Sequence, residues 1–341
     1  MSAIAYESTT VTVRPFAAPL RAYAAARRLP IGAAADMSAL ATDSRYAATL
    51  AREFDLVVAE NAFKAHEVWT GPYSYDFTRC DALAAFAREH GMALRGHTLL
   101  WHQSVPEWLA SGTFSDADIR RMMAAYVAAF VGRYRGVVAA WDVINEAISD
   151  DGPSPWLRTD SFWYRTLGPD YVADMFRWAH EADPAVPLYY NDYEAEDLCP
   201  KSDAIYRLLR ELRGRGAPVH GIGLQGHLLN GWRVGAGHRE NIRRFVSLGL
   251  DWQITEADVR MELNGQRPSE ADLAAQADAY RDLIELCLTQ PGCTGFLAWG
   301  FTDGYSWIPG FRQGWGAALP LDEHFQPKPA YAAIAELLGG R

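Results

Sequence analysis

The chain has 341 residues, of which 49% are hydrophobic and 22% are charged, values close to the averages for globular proteins. A chain of this length can bury about 75% of its unfolded surface, which excludes a disordered, collagen-like or coiled-coil protein. The formal net charge of −10 argues against a nucleic-acid partner, because phosphate binding needs a clustered basic surface. We therefore expect one enzyme-sized globular protein that binds uncharged ligands.

Membrane and targeting signals are also absent from the sequence. It contains no run of about 18 apolar residues, and its N-terminus lacks the features of a secretion signal. We therefore expect no membrane partner, and a chain that is either cytoplasmic or has lost a signal. Of the four cysteines, Cys287 and Cys293 are close enough to form a disulfide, whereas Cys80 and Cys199 have no evident partner.

In chain order, an alanine-rich segment at residues 15–28 is predicted to be a short helix below the main fold, with a targeting role as the alternative. Eight short apolar stretches follow, most of them succeeded by a segment with helical periodicity. The predicted strands cover residues 31–35, 54–60, 93–101, 138–146, 188–193, 222–227, 250–258 and 294–301. The predicted helices cover residues 81–90, 116–134, 162–182, 201–213, 270–287 and 329–338.

This alternation of strands and helices is typical of repeated βα units. Eight such units fit one closed parallel barrel of about 250 residues plus loops, and no Pro/Gly/Ser-rich linker divides the chain. We predict an α/β protein with a single (β/α)8 TIM barrel over residues 29–341. Residues 1–28 would be an N-terminal extension and capping helix.

Polar and aromatic residues end nearly every predicted strand, at the rim where such barrels place their active sites. They are Glu60, Asn61, His97, Trp101, His102, Asn145, Glu146, Asn191, Asp192, Tyr193, Gln225, His227, Glu256, Asp258, Trp299 and, farther on, Trp307. One such residue would be an ordinary loop hydrogen-bonder, but seven converging strand ends indicate a cleft. Carboxylates and amides suit the hydroxyl groups of a sugar chain, and indoles suit the C–H faces of its rings.

Two glutamates in this set could cleave a glycosidic bond, a reaction that needs one protonated and one ionised carboxyl group. Glu146 ends the fourth predicted strand and Glu256 lies in the seventh, on opposite sides of an eight-stranded barrel. A separation of roughly 5 to 5.5 Å would indicate a retaining mechanism, and 6.5 to 9.5 Å an inverting one.

Four motifs carry a resemblance to a known family. W-D-V-I-N-E-A at 141–147, I-T-E-A-D-V at 254–259, G-H-T-L-L-W-H at 96–102 and Y-Y-N-D-Y at 189–193 closely resemble glycoside hydrolase family 10, the endo-β-1,4-xylanases. The motifs occur in the family's order, and the resemblance covers about residues 29–338. It implies a retaining endo-β-1,4-xylanase that hydrolyses xylan or xylo-oligosaccharides through a covalent glycosyl-enzyme.

The resemblance also implies roles for individual residues. Glu146 would be the acid/base and Glu256 the nucleophile, and Asn145 would bond the 2-hydroxyl at the cleavage point. His227 would bond Glu256, with Asp258 orienting that histidine. The implied substrate-binding residues are Glu60, Asn61, Lys64, His97 and Trp101 for the glycone, Trp299 and Trp307 for an aromatic wall, Tyr193 for the aglycone, and Gln225 beside the acid/base. Asp142, Asp192 and Glu194 are interpreted as supporting groups.

The family also includes members with a disulfide in a C-L-x-x-P-x-C pattern, which C-L-T-Q-P-G-C at Cys287 and Cys293 resembles. Because disulfides persist in oxidising compartments, this favours a secreted or periplasmic protein, with a reduced pair in the cytoplasm as the alternative. The chain departs from the family at Ala65, at Gly71 and in the exchanged pair Gln103 and Ser104. These departures predict weakened or altered binding at the distal glycone subsites.

Other functions have weaker support in the sequence. The G-x-G-x-x-G pattern at residues 221–226 lies within an apolar stretch with no helix directly after it, so it does not predict dinucleotide binding. The histidines form no H-E-x-x-H or similar set, and we expect no metal, no cofactor and a monomer. The remaining alternatives are a related glycosidase acting on another β-1,4-glycan or on short decorated oligosaccharides, and a carbohydrate-binding barrel without catalysis.

Overall fold

The computed structural model of the protein describes residues 17–150 and 156–339. Its eight main strands are β1 (Ile31–Ala35), β2 (Leu56–Ala59), β3 (Ala93–Trp101), β4 (Val138–Asn145), β5 (Leu188–Asp192), β6 (Gly221–Leu224), β7 (Asp251–Glu262) and β8 (Cys293–Ala298). Each pairs in parallel with the next, and β8 pairs with β1 through Ile31 and Phe296. The sheet is therefore closed, and the predicted (β/α)8 barrel is confirmed.

Helices surround this barrel. They span Leu20–Arg27, Met37–Thr42, Ser44–Glu53, Ala65–Val68, Thr78–Glu89, Glu107–Ser111, Asp116–Arg133, Phe162–Leu167, Tyr171–Ala182, Pro200–Gly214, Ala236–Ser247, Glu270–Thr289, Ile308–Phe311 and Pro329–Gly339. Strands Trp69–Gly71 and Ser74–Tyr75 form a hairpin, and His227–Leu229 and Trp315–Gly316 pair with the outer end of β7. Within the described ranges, none of the helices has the length and apolar character needed to cross a membrane.

The single helix predicted over residues 162–182 is wrong, because the chain forms two helices there. The first ends at Leu167 and the second begins at Tyr171. Gly168 between them has a φ of 71°, a left-handed conformation that glycine adopts readily. Pro169 follows and has no N–H group to continue the helix. The prediction gave no bounds for the segment that forms helix Ala236–Ser247.

Helix Leu20–Arg27 lies against the N-terminal ends of the strands. Arg21 donates to the carbonyl oxygens of Ala51 and His90, near the C-terminal ends of two barrel helices. The Leu20 N–H donates to the carboxylate of Glu53 at 3.0 Å. Residues 15 and 16 of the predicted helix lie outside the described residues, and the domain division at residue 28 stays a prediction.

A polar cluster inside the barrel supports the opposite rim. Arg95, which is 1% exposed, donates to both carboxylate oxygens of Asp142 and to Gln253. Asp142 also bonds Nδ1 of His97 at 3.0 Å. Since buried charges are retained only when they are paired and hydrogen-bonded, this cluster fixes His97 beneath the C-terminal end of the barrel.

Candidate active site

A cleft of about 400 Å³ opens at the C-terminal ends of the strands. Its walls are formed by Glu60, Asn61, Lys64, His97, Trp101, Gln103, Asn145, Glu146, Tyr193, Glu194, Gln225, His227, Glu256, Arg260, Trp299, Trp307 and Phe311. Every predicted catalytic and substrate-binding residue is among them except Asp258, which lies behind His227. The barrel brings these residues together from across the chain because the C-terminal ends of all its strands meet at one rim.

Glu256, on β7, is buried among donors at the floor of this cleft. Its Oε1 atom accepts a hydrogen bond from Asn191 at 2.6 Å and lies 3.8 Å from Nδ1 of His97. Its Oε2 atom lies 3.2 Å from Nε2 of His227. Burial alone would raise the pKa of Glu256, but the two histidines outweigh it and hold that pKa below its usual value. The carboxylate is therefore ionised at neutral pH, as a nucleophile requires.

His227 connects Glu256 to a second carboxylate. Its Nδ1 atom lies 2.8 Å from Oδ2 of Asp258, and the same oxygen accepts a hydrogen bond from Trp307. Burial disfavours the charged imidazole, but the attraction of Asp258 and the bonds to both carboxylates raise the pKa of His227 to about 10. The ring is thus an imidazolium at neutral pH, with one N–H directed at each carboxylate.

Glu146 follows β4 in an unusual backbone conformation. Its φ of 57° is uncommon for a residue with a side chain, and its N–H is held by the carbonyl oxygen of Asn191 at 2.9 Å. The carboxylate accepts hydrogen bonds from Trp101 at 2.7 Å, Gln225 at 3.0 Å and Asn145 at 3.2 Å. Strain at such a position persists only where its surroundings fix it, and here they aim the carboxyl group into the cleft.

Amide side chains connect the two glutamates. Asn145 accepts hydrogen bonds from Asn191 at 2.9 Å and from Gln225 at 3.2 Å. Asn191 also donates to Glu256, and Gln225 also donates to Glu146. Asn191 was predicted to lie at the rim, at the end of the fifth predicted strand, but no catalytic or substrate-binding role was predicted for it. The network fixes the position of one carboxylate relative to the other.

One end of the cleft is lined by residues that follow β2 and β3. Lys64 donates to Asn61 at 2.8 Å, Asn61 donates to Glu60 at 3.1 Å, and the Lys64 ammonium lies 4.8 Å from the Trp101 ring centroid. Burial lowers the pKa of Lys64, while Glu256 and Glu60 oppose that shift. The group offers donors, acceptors and an aromatic face, the contacts that a sugar ring needs.

Tyr193 stands at the other end, fixed by three charged groups. Its hydroxyl contacts Asp150 at 2.5 Å and Arg158 at 2.8 Å, and the Lys201 ammonium lies 3.1 Å from the ring centroid. The prediction missed Arg260 and Phe311 at the cleft wall. Arg260 lies on β7 two residues beyond the seventh predicted strand, and Phe311 lies ten residues beyond the eighth. At these positions the sequence gives no indication of which side chains turn inward.

The next groups of interest are possible metal ligands and the cysteine pair near strand β8. Among the described residues, no three or more His, Cys, Asp or Glu side chains are grouped to hold a metal ion. Cys287 and Cys293 are free thiols in this structure. They lie in hydrogen-bonding contact, and burial raises the pKa of the Cys287 thiol. The disulfide between them stays a prediction.

Comparison with known proteins decides the family. A sequence profile described as glycosyl hydrolase family 10 matches residues 19–337. The chain belongs to glycosyl hydrolase family 10. It is thus a glycoside hydrolase, and the resemblance inferred from its motifs is confirmed.

Three relatives within family 10 match this chain over more than nine-tenths of their own length. Endo-1,4-beta-xylanase B of Thermotoga neapolitana is 38% identical over 322 residues, which cover 94% of this chain and 91% of that protein. The crystal structure of native xylanase 10B from Thermotoga maritima has a TM-score of 0.90 and 38% identity, and covers 94% of this chain and 98% of that one. Xylanase 10B from Thermotoga petrophila, solved with xylobiose, has a TM-score of 0.90 and 36% identity, and covers 96% and 99% of the two chains.

Proposed function

We propose that this chain is a retaining endo-1,4-β-xylanase with Glu146 as acid/base and Glu256 as nucleophile. The observation that carries the proposal is the difference between the two carboxylates within one cleft. Glu256 is held ionised by two histidines, whereas Glu146 accepts hydrogen bonds from an indole and two amides. Such paired but unlike carboxyl groups divide acid and nucleophile roles in glycosidases.

In the first step, Glu146 enters the reaction protonated and donates its proton to the glycosidic oxygen as the bond from that oxygen to C1 breaks. The carboxylate of Glu256 forms a bond to C1 from the opposite face of the ring. One part of the sugar chain leaves with a new hydroxyl group, and the other remains as an ester of Glu256. The His227 imidazolium would orient the attacking carboxylate through its 3.2 Å contact.

In the second step, water attacks C1 of this ester. Glu146, now ionised, takes a proton from the water as its oxygen bonds to C1, and Glu256 leaves as a carboxylate. Two displacements restore the original β configuration at C1. The Asn145 amide, next to both glutamates through the amide network, is placed to donate to the 2-hydroxyl.

The relatives support xylan rather than another β-1,4-glycan as the substrate, since those compared above are named xylanases and one was solved with xylobiose. We also propose that the chain acts as a monomer, because the glutamates and their hydrogen-bond partners all come from one chain. A secreted or periplasmic location is proposed on the basis of the contact between Cys287 and Cys293.

The test is hydrolysis of unbranched xylan and xylohexaose by the wild type, Glu256→Gln and Glu262→Gln. Glu262 lies on the same strand but is exposed, and its carboxylate bonds only Asn264 among the described residues, so it is the matched control. We expect short xylo-oligosaccharides with β-anomers formed first, no change in the control, and a loss on the order of 10⁵-fold for Glu256→Gln. Activity only on glucan or mannan, or α-anomers first, would contradict the proposal.

A further inference from the structure

Arg260 is an arginine in the cleft wall for which the proposed mechanism has no role. It lies on β7 two and four residues beyond Asp258 and Glu256, so all three side chains share one face of the strand. Four residues along a strand correspond to about 13 Å, which places Arg260 well above Glu256 along the barrel axis.

The other cations in the cleft wall or next to Tyr193 have anionic or amide partners. Lys201 pairs with Asp150 and Asp192, Arg158 pairs with Asp150, and Lys64 bonds an amide. Arg260, by contrast, has no carboxylate within 4.0 Å among the described residues, although the chain carries an excess of acidic groups.

The hydrogen-bonding capacity of Arg260 is also largely unused. Nη1 donates to the carbonyl oxygen of His227 at a long 3.4 Å. Nε is shielded from solvent and has no partner within the described parts of the chain. A guanidinium carries five N–H donors in a planar fork that matches a carboxylate with two parallel bonds. An anionic ligand group would therefore complete the coordination that the protein leaves open.

We propose that Arg260 binds the carboxylate of a uronic acid side group carried by the xylan chain. This inference rests on the proposed xylanase function. Phe311, which is 62% exposed and lines the same cleft, offers an aromatic face for a sugar ring near that side group. Glu194 also lines the cleft and repels anions, so the favourable position for a carboxylate is next to Arg260.

The experiment compares two forms of one polysaccharide, glucuronoxylan and the same glucuronoxylan after chemical reduction of its carboxyl groups. The enzymes are the wild type, Arg260→Gln and Arg267→Gln. The last removes the same charge from an exposed position outside the cleft wall. We expect Arg260→Gln to lower kcat/KM on glucuronoxylan five- to tenfold more than it lowers kcat/KM on the reduced polymer. The wild-type preference for the acidic polymer should also weaken with added salt.

The ratio of the two kcat/KM values separates recognition from general damage, because a variant that folds poorly loses activity on both polymers equally. An unchanged ratio in Arg260→Gln would overturn the inference, and so would an equal change in Arg267→Gln. Failure of the wild type to cleave either polymer would instead contradict the proposed xylanase function.

Discussion

His227 directs its Nε2 atom at Oε2 of Glu256 over 3.2 Å, so the proposed nucleophile faces a cationic ring. The charge on the ring is maintained by Asp258, 2.8 Å from the other ring nitrogen. Replacing the His227 imidazole should therefore change the pH dependence of the free energy of unfolding and remove a positive charge beside Glu256.

The first prediction concerns the free energy of unfolding as a function of pH. The pKa of His227 is about 10 in the folded protein, against an ordinary value of 6.5. Between these values the folded state binds the additional proton, so the stabilisation is complete below about pH 6.5 and is lost as pH rises through about 10. Relative to His227→Gln, the wild type should lose up to about 1.4 kcal/mol of stability per pH unit in that window.

Urea unfolding of both proteins across that window measures this difference. His324→Gln is the matched control, since its side chain is 75% exposed and lies outside the cleft. A wild-type curve parallel to that of His227→Gln would show that His227 is not an imidazolium in the folded protein.

The second prediction separates the roles of the two glutamates. Glu146→Ala should slow xylan hydrolysis by about 10²- to 10⁴-fold, because the leaving oxygen then receives no proton. A dinitrophenyl xylobioside needs no such proton, so its first step should remain fast while the second step slows. Mass spectrometry should then detect xylobiose attached to Glu256. If the variant is equally slow on both substrates and shows no adduct, Glu146 is not the acid/base.

The third prediction tests the amide network through a glycine. A Cβ atom at Gly223 would lie 2.1 Å from Oδ1 of Asn191, whose Nδ2 atom holds Glu256 and Asn145. Gly223→Ala should therefore displace Asn191 and lower kcat on xylan about 10- to 100-fold with little change in KM. Gly132→Ala is the control, because nothing lies near its Cβ position within helix Asp116–Arg133. It should leave kcat unchanged and stabilise the fold by about 0.5–1 kcal/mol. Equal kcat values in both variants would remove Asn191 from the mechanism.

The fourth prediction concerns the contact between Cys287 and Cys293. In the chain-entropy account, a bond closing so short a loop stabilises the protein by about 2 kcal/mol. Under oxidising conditions, Cys293→Ala should lower the free energy of unfolding by about 2 kcal/mol more than it does in the presence of dithiothreitol, where the bond cannot form. Thiol counting by mass spectrometry identifies the bonded pair directly. If both cysteines are alkylated in the air-exposed protein, the pair is reduced, and the argument for an oxidising compartment no longer holds.

The site could be predicted largely from strand ends. Glu146 and Glu256 are 110 residues apart in the sequence, yet both close an apolar stretch with a carboxylate, and parallel strands of a barrel end at one rim. The glycosidase chemistry followed from that pairing, and the family followed from the motifs around it. The break at Gly168 was missed because the apolar spacing continues across it.

The sequence by itself determined the alternation of strands and helices, the closed barrel and the set of residues at its C-terminal rim. Hydrophobic periodicity and polar strand ends are local signals, and they persist in any fold that buries them. Only the tertiary structure decided which groups touch: the imidazolium between Asp258 and Glu256, the room that Gly223 leaves for Asn191, and the Arg260 guanidinium, which has no carboxylate partner in the described part of the chain. These depend on distances between side chains far apart in the sequence. Such distances are set by how the strands twist and pack together, which no local pattern encodes.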